Sequence, residues 1–375
     1  MKLRPKITLI DHFEKLTDPR VERTKDHKLI DIIVIALCAM ICGADTFVAM
    51  ETYGNSKYEW LKQFLELKNG IPSHDTFARV FARIDPNEFE QCFRDWVSSI
   101  TELMPGEVIN IDGKTVKHSV SKTEGKKAIH LVNAWASKQR LVLAQQKVHE
   151  RTNEITAIPH LIKVLELNGC LVTIDAMGTQ TDIAQLLHSK GADYCLALKG
   201  NQRGLFQEVQ KVFNNAQKNE WIGIEHSFYR TVEKGHGRIE TRRYWTFSAS
   251  IMTRNTDKWA GLQSIGIVES VRRIGDQTTN STRYYLNSFA SDAEKLAMAV
   301  RRHWSIENNL HWVLDVAFNE DDCPVHKDNA PENLARLRQI SLNLLSQEKT
   351  AKIGVKNKRL KAAWDNKYLA KVLGI

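Results

Sequence analysis

The stretch from Glu107 to about residue 216 constrains the fold more than any other part of this 375-residue chain. Glu107-Val-Ile-Asn-Ile111 is an apolar, strand-forming run that ends in Asp112-Gly113. Ile129–Ala136 and Leu141–Val148 are two further strand-like runs, joined by Ser137-Lys-Gln-Arg140 in a hairpin pattern. The texture then alternates. A helix over Ile155–Leu167 is broken at Asn168-Gly169, and a strand over Leu171–Ile174 ends in Asp175. A helix at about 181–189, a strand at Asp193–Leu198 and a helix from about 204 to 216 follow.

The order β-β-β-α-β-α-β-α predicts an α/β fold with a ribonuclease H-like mixed sheet, its strands arranged 3-2-1-4-5. The first and fourth strands are then parallel neighbours, about 4.8 Å apart, and Asp112 and Asp175 sit side by side. Carboxylates that close repel unless a cation joins them, and oxygen-rich clusters suit Mg²⁺ or Mn²⁺. A third acid has to come from a late helix. Glu307 in Arg301-Arg-His-Trp-Ser-Ile-Glu-Asn-Asn309 supplies it, with His303 and His311 one helical turn to either side. Singly, each acid has a plainer role. Asp112 before Gly113 is a turn former, Asp175 caps a turn, and Glu307 makes a surface ion pair. Jointly they match one topology, which points to two-metal phosphodiester chemistry. The spacing of His303, Glu307 and His311 also suits zinc, but no other motif supports it.

Around this core, residues 1–105 read as a helical N-terminal domain with helices at Leu29–Cys42, Ser56–Leu67, after the N-cap Ser73, and over Pro86–Ile100. Such a bundle can hold a DNA-binding helix-turn-helix, although its net charge of −2 argues against strong nonspecific binding. Residues 106–217 are the first part of the catalytic core and 218–290 a β-rich insertion. Residues 291–346 are the final core helices carrying Glu307, including a long helix from Ala293 to Leu314, and 347–375 a basic tail that ends in a short helix. The 53 Lys and Arg against 44 acids, net +9, suggest a polyanionic partner. Ile32–Ala44 is the one tempting apolar run. At thirteen residues it falls short of the roughly 20 that cross a bilayer, so a buried helix and no membrane association are expected. The six cysteines form no CxxC pair, which disfavours structural zinc and a disulfide framework. Lys2, Arg4 and Lys6 lead into Leu9-Ile-Asp-His12 rather than an apolar signal core, so a cytoplasmic chain is expected.

Cations near the acids are the expected DNA contacts: Lys114, Lys199, and Arg301, Arg302 and His303 of the late helix. Arg238, Arg242 and Arg243 cluster with Tyr244 and Trp245, a combination suited to backbone contact plus base stacking. The basic tail either grips flanking DNA or keeps the C-terminus soluble. Glu154, Glu240, Asp315, Asp321 and Asp322 stand outside the proposed triad.

An ordered set of segments extends these readings. They are Ile111-Asp-Gly-Lys-Thr115, Asn153-Glu-Ile-Thr-Ala-Ile-Pro159, Thr173-Ile-Asp-Ala-Met-Gly178, Ala197-Leu-Lys-Gly-Asn-Gln202, Gly235-His-Gly-Arg-Ile-Glu240, His303-Trp-Ser-Ile-Glu-Asn308, Leu310-His-Trp-Val-Leu-Asp-Val316, Ala330-Pro-Glu-Asn333 and Leu342-Asn-Leu-Leu345. With them the chain resembles the DDE transposases of bacterial insertion sequences, in the group that includes the H-repeat-associated proteins of Rhs elements. The resemblance runs from about His12 to Leu345. It implies metal-dependent DNA cleavage at element ends and strand transfer to target DNA, with Asp112, Asp175 and Glu307 as the DDE triad. It also implies Mg²⁺ as cofactor with Mn²⁺ substituting, a homodimer on DNA, and a nucleoid-associated protein of the bacterial cytoplasm. Better-studied relatives carry Tyr and Arg seven and four residues before the glutamate and Lys seven after it. Here these positions hold Val300, His303 and Leu314, so His303 is the expected stand-in for the arginine. A nuclease that cuts without joining, and a silent DNA-binding relic, are the alternatives.

Overall fold

The computed structural model describes residues 9–120, 127–149, 152–235, 237–253 and 256–375; His236 of the segment 235–240 falls outside them. The N-terminal helices are α1 (Ile10–Phe13), α2 (Leu29–Ile41), α3 (Phe47–Ser56), α4 (Tyr58–Leu61), α5 (His74–Arg83) and α6 (Pro86–Ile100). Ser73 caps α5 by accepting the Thr76 N–H, and Asp85 caps α6 ahead of Pro86 at its first position. The helix expected over Ser56–Leu67 is only the single turn α4. Beyond it the chain coils through Leu67 at φ 43°, and the helical residues lie instead in α3, where Gly54 lets Ile71 approach too closely for any side chain.

The strands are β1 (Val108–Thr115), β2 (His130–Ala136), β3 (Leu141–Lys147), β4 (Leu171–Ile174) and β5 (Asp193–Leu198), with α7 (Glu154–Val164), α8 (Thr181–Ser189) and α9 (Arg203–Lys218) interleaved. Four antiparallel strands follow: β6 (His226–Gly235), β7 (Arg238–Ser248), β8 (Ser264–Ile274) and β9 (Gln277–Asn287). All nine form one mixed sheet in the order β3-β2-β1-β4-β5-β9-β8-β7-β6. The first five strands thus lie in the expected 3-2-1-4-5 order. The β-rich segment continues that sheet, because β9 pairs antiparallel with β5.

Alternation along the strands decides which residues meet the site. Val108 packs against α10 (Ala293–Ile306), and Asn110, Asp112 and Lys114 follow it on that face. Ile109 and Ile111 point to the opposite face, into the core shared with α7, and Gly113 follows them. In β4, Leu171 and Thr173 share the α10 face while Val172 and Ile174 oppose it.

The long helix expected from Ala293 to Leu314 is not uniform. After α10 come five residues of π-helix, Glu307–His311, and then α11 (Trp312–Phe318). The chain closes with α12 (Ala330–Gln347), α13 (Val355–Trp364) and α14 (Asn366–Leu373). Helix α12 packs against α2, α5, α6 and β3, and α13 touches α2. The basic tail is therefore two packed helices. In α13, Arg359 is buried, donating to the Met40 and Ala317 carbonyls and pairing with Asp45. Lys358, also buried, donates to the Leu345 and Glu348 carbonyls. No described helix is long and apolar enough to cross a membrane.

Candidate active site

Asp112 does not end its strand. It sits where the parallel pairing of β1 with β4 stops at Ile111–Ile174, while pairing with β2 runs on through Asp112–Asn133. Asp175 is the first residue past β4, and its carboxylate accepts the N–H groups of Met177 and Gly178 at 3.1 and 3.2 Å. The turn-forming reading of Asp175 is thus borne out. Glu307 opens the π segment of the late helix. All three acids line one cleft of about 290 Å³, together with Thr173, Lys199, Arg283, Tyr285, His303 and Trp304.

At the edge of this cleft Asp112 and Glu307 meet His311, which is not among the lining residues; ligand atoms of these three all lie within 4.8 Å of one another, a group that does not include Asp175. Burial, reinforced by the neighbouring Glu307 and Asp175 charges, pushes the Asp112 carboxyl up to about 7, with His311 acting against the rise. Burial also raises Asp175, opposed by its two backbone N–H donors, while Glu154 adds to the rise and Lys199 counters it. Glu307, half exposed, is held below the usual carboxylate range by the His311 ring. Crowded carboxylates beside an imidazole fit a hard or borderline divalent cation.

Opposite Asp112 across the sheet, Glu154 Oε1 meets His130 Nε2 at 2.6 Å, and His130 Nδ1 meets the Thr115 hydroxyl at 2.7 Å. This pair lies directly over Gly113, where a Cβ would fall 2.1 Å from Glu154 Oε1. The glycine after Asp112 is thus required by a neighbouring side chain rather than by a turn.

The expected DNA contacts divide sharply. Lys199 is exposed at the cleft, and Arg238 is exposed at the start of β7. Lys114 is not a surface cation. It is buried, with its ammonium committed to Asp315 (2.6 Å), Asp321 (3.1 Å) and Glu320 (3.4 Å), because strand alternation turns it toward α11. Arg242 is held by Glu240 at 2.6 Å and Glu233 at 3.1 Å; Arg243 keeps a looser partner, Glu269, at 3.9 Å. Trp245 cannot stack on a base: it is buried among Phe213, Trp221 and Phe228, and Tyr244 is fully buried as well. In α10, Arg301 pairs with Glu233 at 2.8 Å and Arg302 is half-buried.

His303 reaches the cleft, but not as a positive charge. Burial pushes its imidazole down to about 4, so it is neutral at neutral pH. Asn110 donates to Thr173 Oγ1 at 2.7 Å, and Thr173 Oγ1 lies 2.9 Å from His303 Nδ1. The threonine oxygen has two acceptor sites, so the direction of its bond to Nδ1 follows the ring's tautomer. Arg283 and Trp304 were not among the expected contacts. The Arg283 guanidinium lies 5.0 Å over the half-exposed Trp304 ring at the cleft wall. The alternation of Arg283-Tyr284-Tyr285 carried the signal, since Tyr284 enters one core and Tyr285 the other.

The description "Transposase DDE domain" matches residues 104–344, and "DDE_Tnp_1-associated" matches residues 10–97. This chain belongs to the DDE transposase family. It is 39% identical over 370 residues to "H repeat-associated putative transposase YhhI" of Escherichia coli (strain K12), covering 97% of each chain. It is 40% identical to "Putative transposase YncI" of Escherichia coli O157:H7, covering 98% of this chain and 94% of that one. A piggyBac transposase synaptic complex with hairpin DNA aligns over 97% of this chain and 78% of that chain, at 12% identity and a TM-score of 0.44. That likeness is too distant to bear on fold or activity. The family resemblance read from the ordered segments holds, and the DDE family implies a divalent metal.

Proposed function

We propose that this DDE-family chain is an active transposase that cleaves DNA at element ends and transfers the freed strand to target DNA. The observation that carries the reading is the convergence of Asp112, Asp175 and Glu307 on one cleft whose wall also presents Lys199 and Arg283. The first five strands form the ribonuclease H-like sheet, and Asp112, Asp175 and Glu307 are the triad that holds Mg²⁺, or Mn²⁺ in its place. Bound divalent cations supply an activated water or 3′-hydroxyl and neutralise the leaving oxygen.

The chain's own groups do the rest. Lys199 and Arg283 meet backbone phosphates, and Arg283 brings the Trp304 face with it for stacking. His303 offers a neutral imidazole to the cleft, so it takes the arginine's place in position but not in charge. Arg238, Arg243 and Arg302 are further phosphate contacts outside the cleft. A homodimer on DNA holds two ends together, and the protein works in the bacterial cytoplasm on nucleoid DNA.

The test incubates the purified chain with its own element ends and Mg²⁺ beside Asp112→Asn, Asp175→Asn and Glu307→Gln. Metal-dependent nicks at the ends, lost in each variant while DNA binding persists, are the expected result. Binding without cleavage in the wild-type chain under Mg²⁺ and Mn²⁺ would return it to the silent relic. Pre-cleaved ends with a target plasmid separate joining from cutting alone.

A further inference from the structure

The π segment places a histidine where the triad reading has no role for one. His311 is buried, with 5% of its surface exposed, and its Nε2 has no hydrogen-bond partner. Its Nδ1 lies 3.8 Å from Asp112 Oδ2 and 3.7 Å from Glu307 Oε2, beyond hydrogen-bond length in both cases. A buried imidazole normally uses both nitrogens; here Nδ1 has only these long contacts to the two acids, and Nε2 has no partner.

Those separations have another meaning. For donor–metal bonds of about 2.1 Å, two ligands at right angles on one ion stand about 3.0 Å apart, and opposite ligands about 4.2 Å. At 3.7 and 3.8 Å the histidine nitrogen stands within the roughly 4.2 Å that two donors on one ion can span, so small side-chain shifts bring each pair onto a single cation. The backbone contributes as well. The π-turn buries Leu310 and His311 together while Glu307, Asn308 and Trp312 stay exposed, so the widened turn carries the ring inward beside the glutamate at its start. Such insertions recur at functional sites.

We infer that His311 is a direct ligand, its Nδ1 joining Asp112 and Glu307 on one divalent cation, so that the site favours Mn²⁺ over Mg²⁺. This rests on the metal-dependent reading above and deepens it. Two carboxylates alone match the oxygen preference of Mg²⁺, whereas an imidazole nitrogen suits the softer first-row ions.

The test needs no DNA and no turnover. Full-length protein is loaded with Mn²⁺ alone and examined by pulsed electron paramagnetic resonance. A nitrogen-14 hyperfine coupling from a bound imidazole is expected, changing to the nitrogen-15 pattern when histidine is isotopically labelled in the unmutated chain. In His311→Gln the coupling disappears, and calorimetry shows Mn²⁺ affinity lowered at least about 10-fold, with Mg²⁺ affinity lowered less. Mn²⁺ bound without nitrogen coupling, but released in Glu307→Gln, would overturn the inference and leave the carboxylate site standing. Mn²⁺ binding unaffected by either Asp112→Asn or Glu307→Gln would overturn the metal reading of this cleft as well.

Discussion

Replacing Gly113 by alanine tests how the strand under Asp112 is held. The added methyl falls 2.1 Å from Glu154 Oε1 and 2.7 Å from His130 Nε2, so both side chains have to shift, the glutamate more. The Glu154 carboxylate is the end of a flexible chain, but it is tied to His130 at 2.6 Å with only 13% of its side chain exposed. Losing a hydrogen bond to a charged group costs about 1.5–3 kcal/mol. Alanine in a strand recovers about 0.5–1 kcal/mol relative to glycine, which leaves a net loss of about 1–2 kcal/mol. Urea unfolding of Gly113→Ala, Glu154→Ala and the double variant separates the two contributions. In the Glu154→Ala background the nearer obstruction is gone and only the His130 ring, no longer tied to the carboxylate, has to give, so Gly113→Ala costs less there than in the wild-type chain. An equal loss from Gly113→Ala in both backgrounds would refute the argument and show that something other than Glu154 demands the glycine.

Three further outcomes follow from the packing. Burial works against the Glu348 charge, yet the Thr350 hydroxyl, the Ala351 and Thr350 N–H groups and the Tyr368 hydroxyl hold its carboxyl down to about 2. Its contribution, at most about 3 kcal/mol, is complete above the unfolded value near 4.5 and lost as pH falls toward 2. Glu348→Gln therefore lowers stability at pH 7 and flattens the decline between about pH 4.5 and 2, as thermal melts across that range will show. Lys114→Met leaves buried Glu320 and its acidic neighbours without their shared cation and destabilises by about 3–5 kcal/mol; a midpoint close to wild type would return Lys114 to a solvent-facing role. Deleting residues 349–375 removes Arg359 from the Met40 carbonyl and Asp45, so the truncated chain unfolds at a markedly lower temperature, and weaker DNA affinity at unchanged stability would contradict this.

The strand order, and the meeting of Asp112, Asp175 and Glu307 at one cleft, were legible because they follow from local patterns. Apolar runs mark the strands, and Asp112 and Asp175 stand at equivalent points of β1 and β4. Long-range packing was not legible. Lys114 and Trp245 look like DNA contacts by composition, and nothing within a few residues of either shows that α11 or the Phe213 cluster covers it. The π-turn has no such marker either, since Ser305–Val313 keeps helical spacing while the backbone adds a residue to the turn. Spacing predicted His303, Glu307 and His311 on one face; the structure gives the two histidines different partners, Thr173 for one and the acids for the other. The tail read as solvated because its lysines dominate the count, yet Lys358 and Arg359 satisfy backbone carbonyls inside the fold.

The closure of α2 by the chain's last helices has a consequence for synthesis. Every residue from Ile32 to Ile41 is almost fully buried, and α12 and α13 form part of the cover. At 5–20 residues per second, α12 emerges from the ribosome about 290 residues and 15–60 s after α2 does. Throughout that interval the most apolar helix of the protein lacks its final partners and is open to chaperones and to other nascent chains. A frameshift or premature stop before residue 330 makes that exposure permanent.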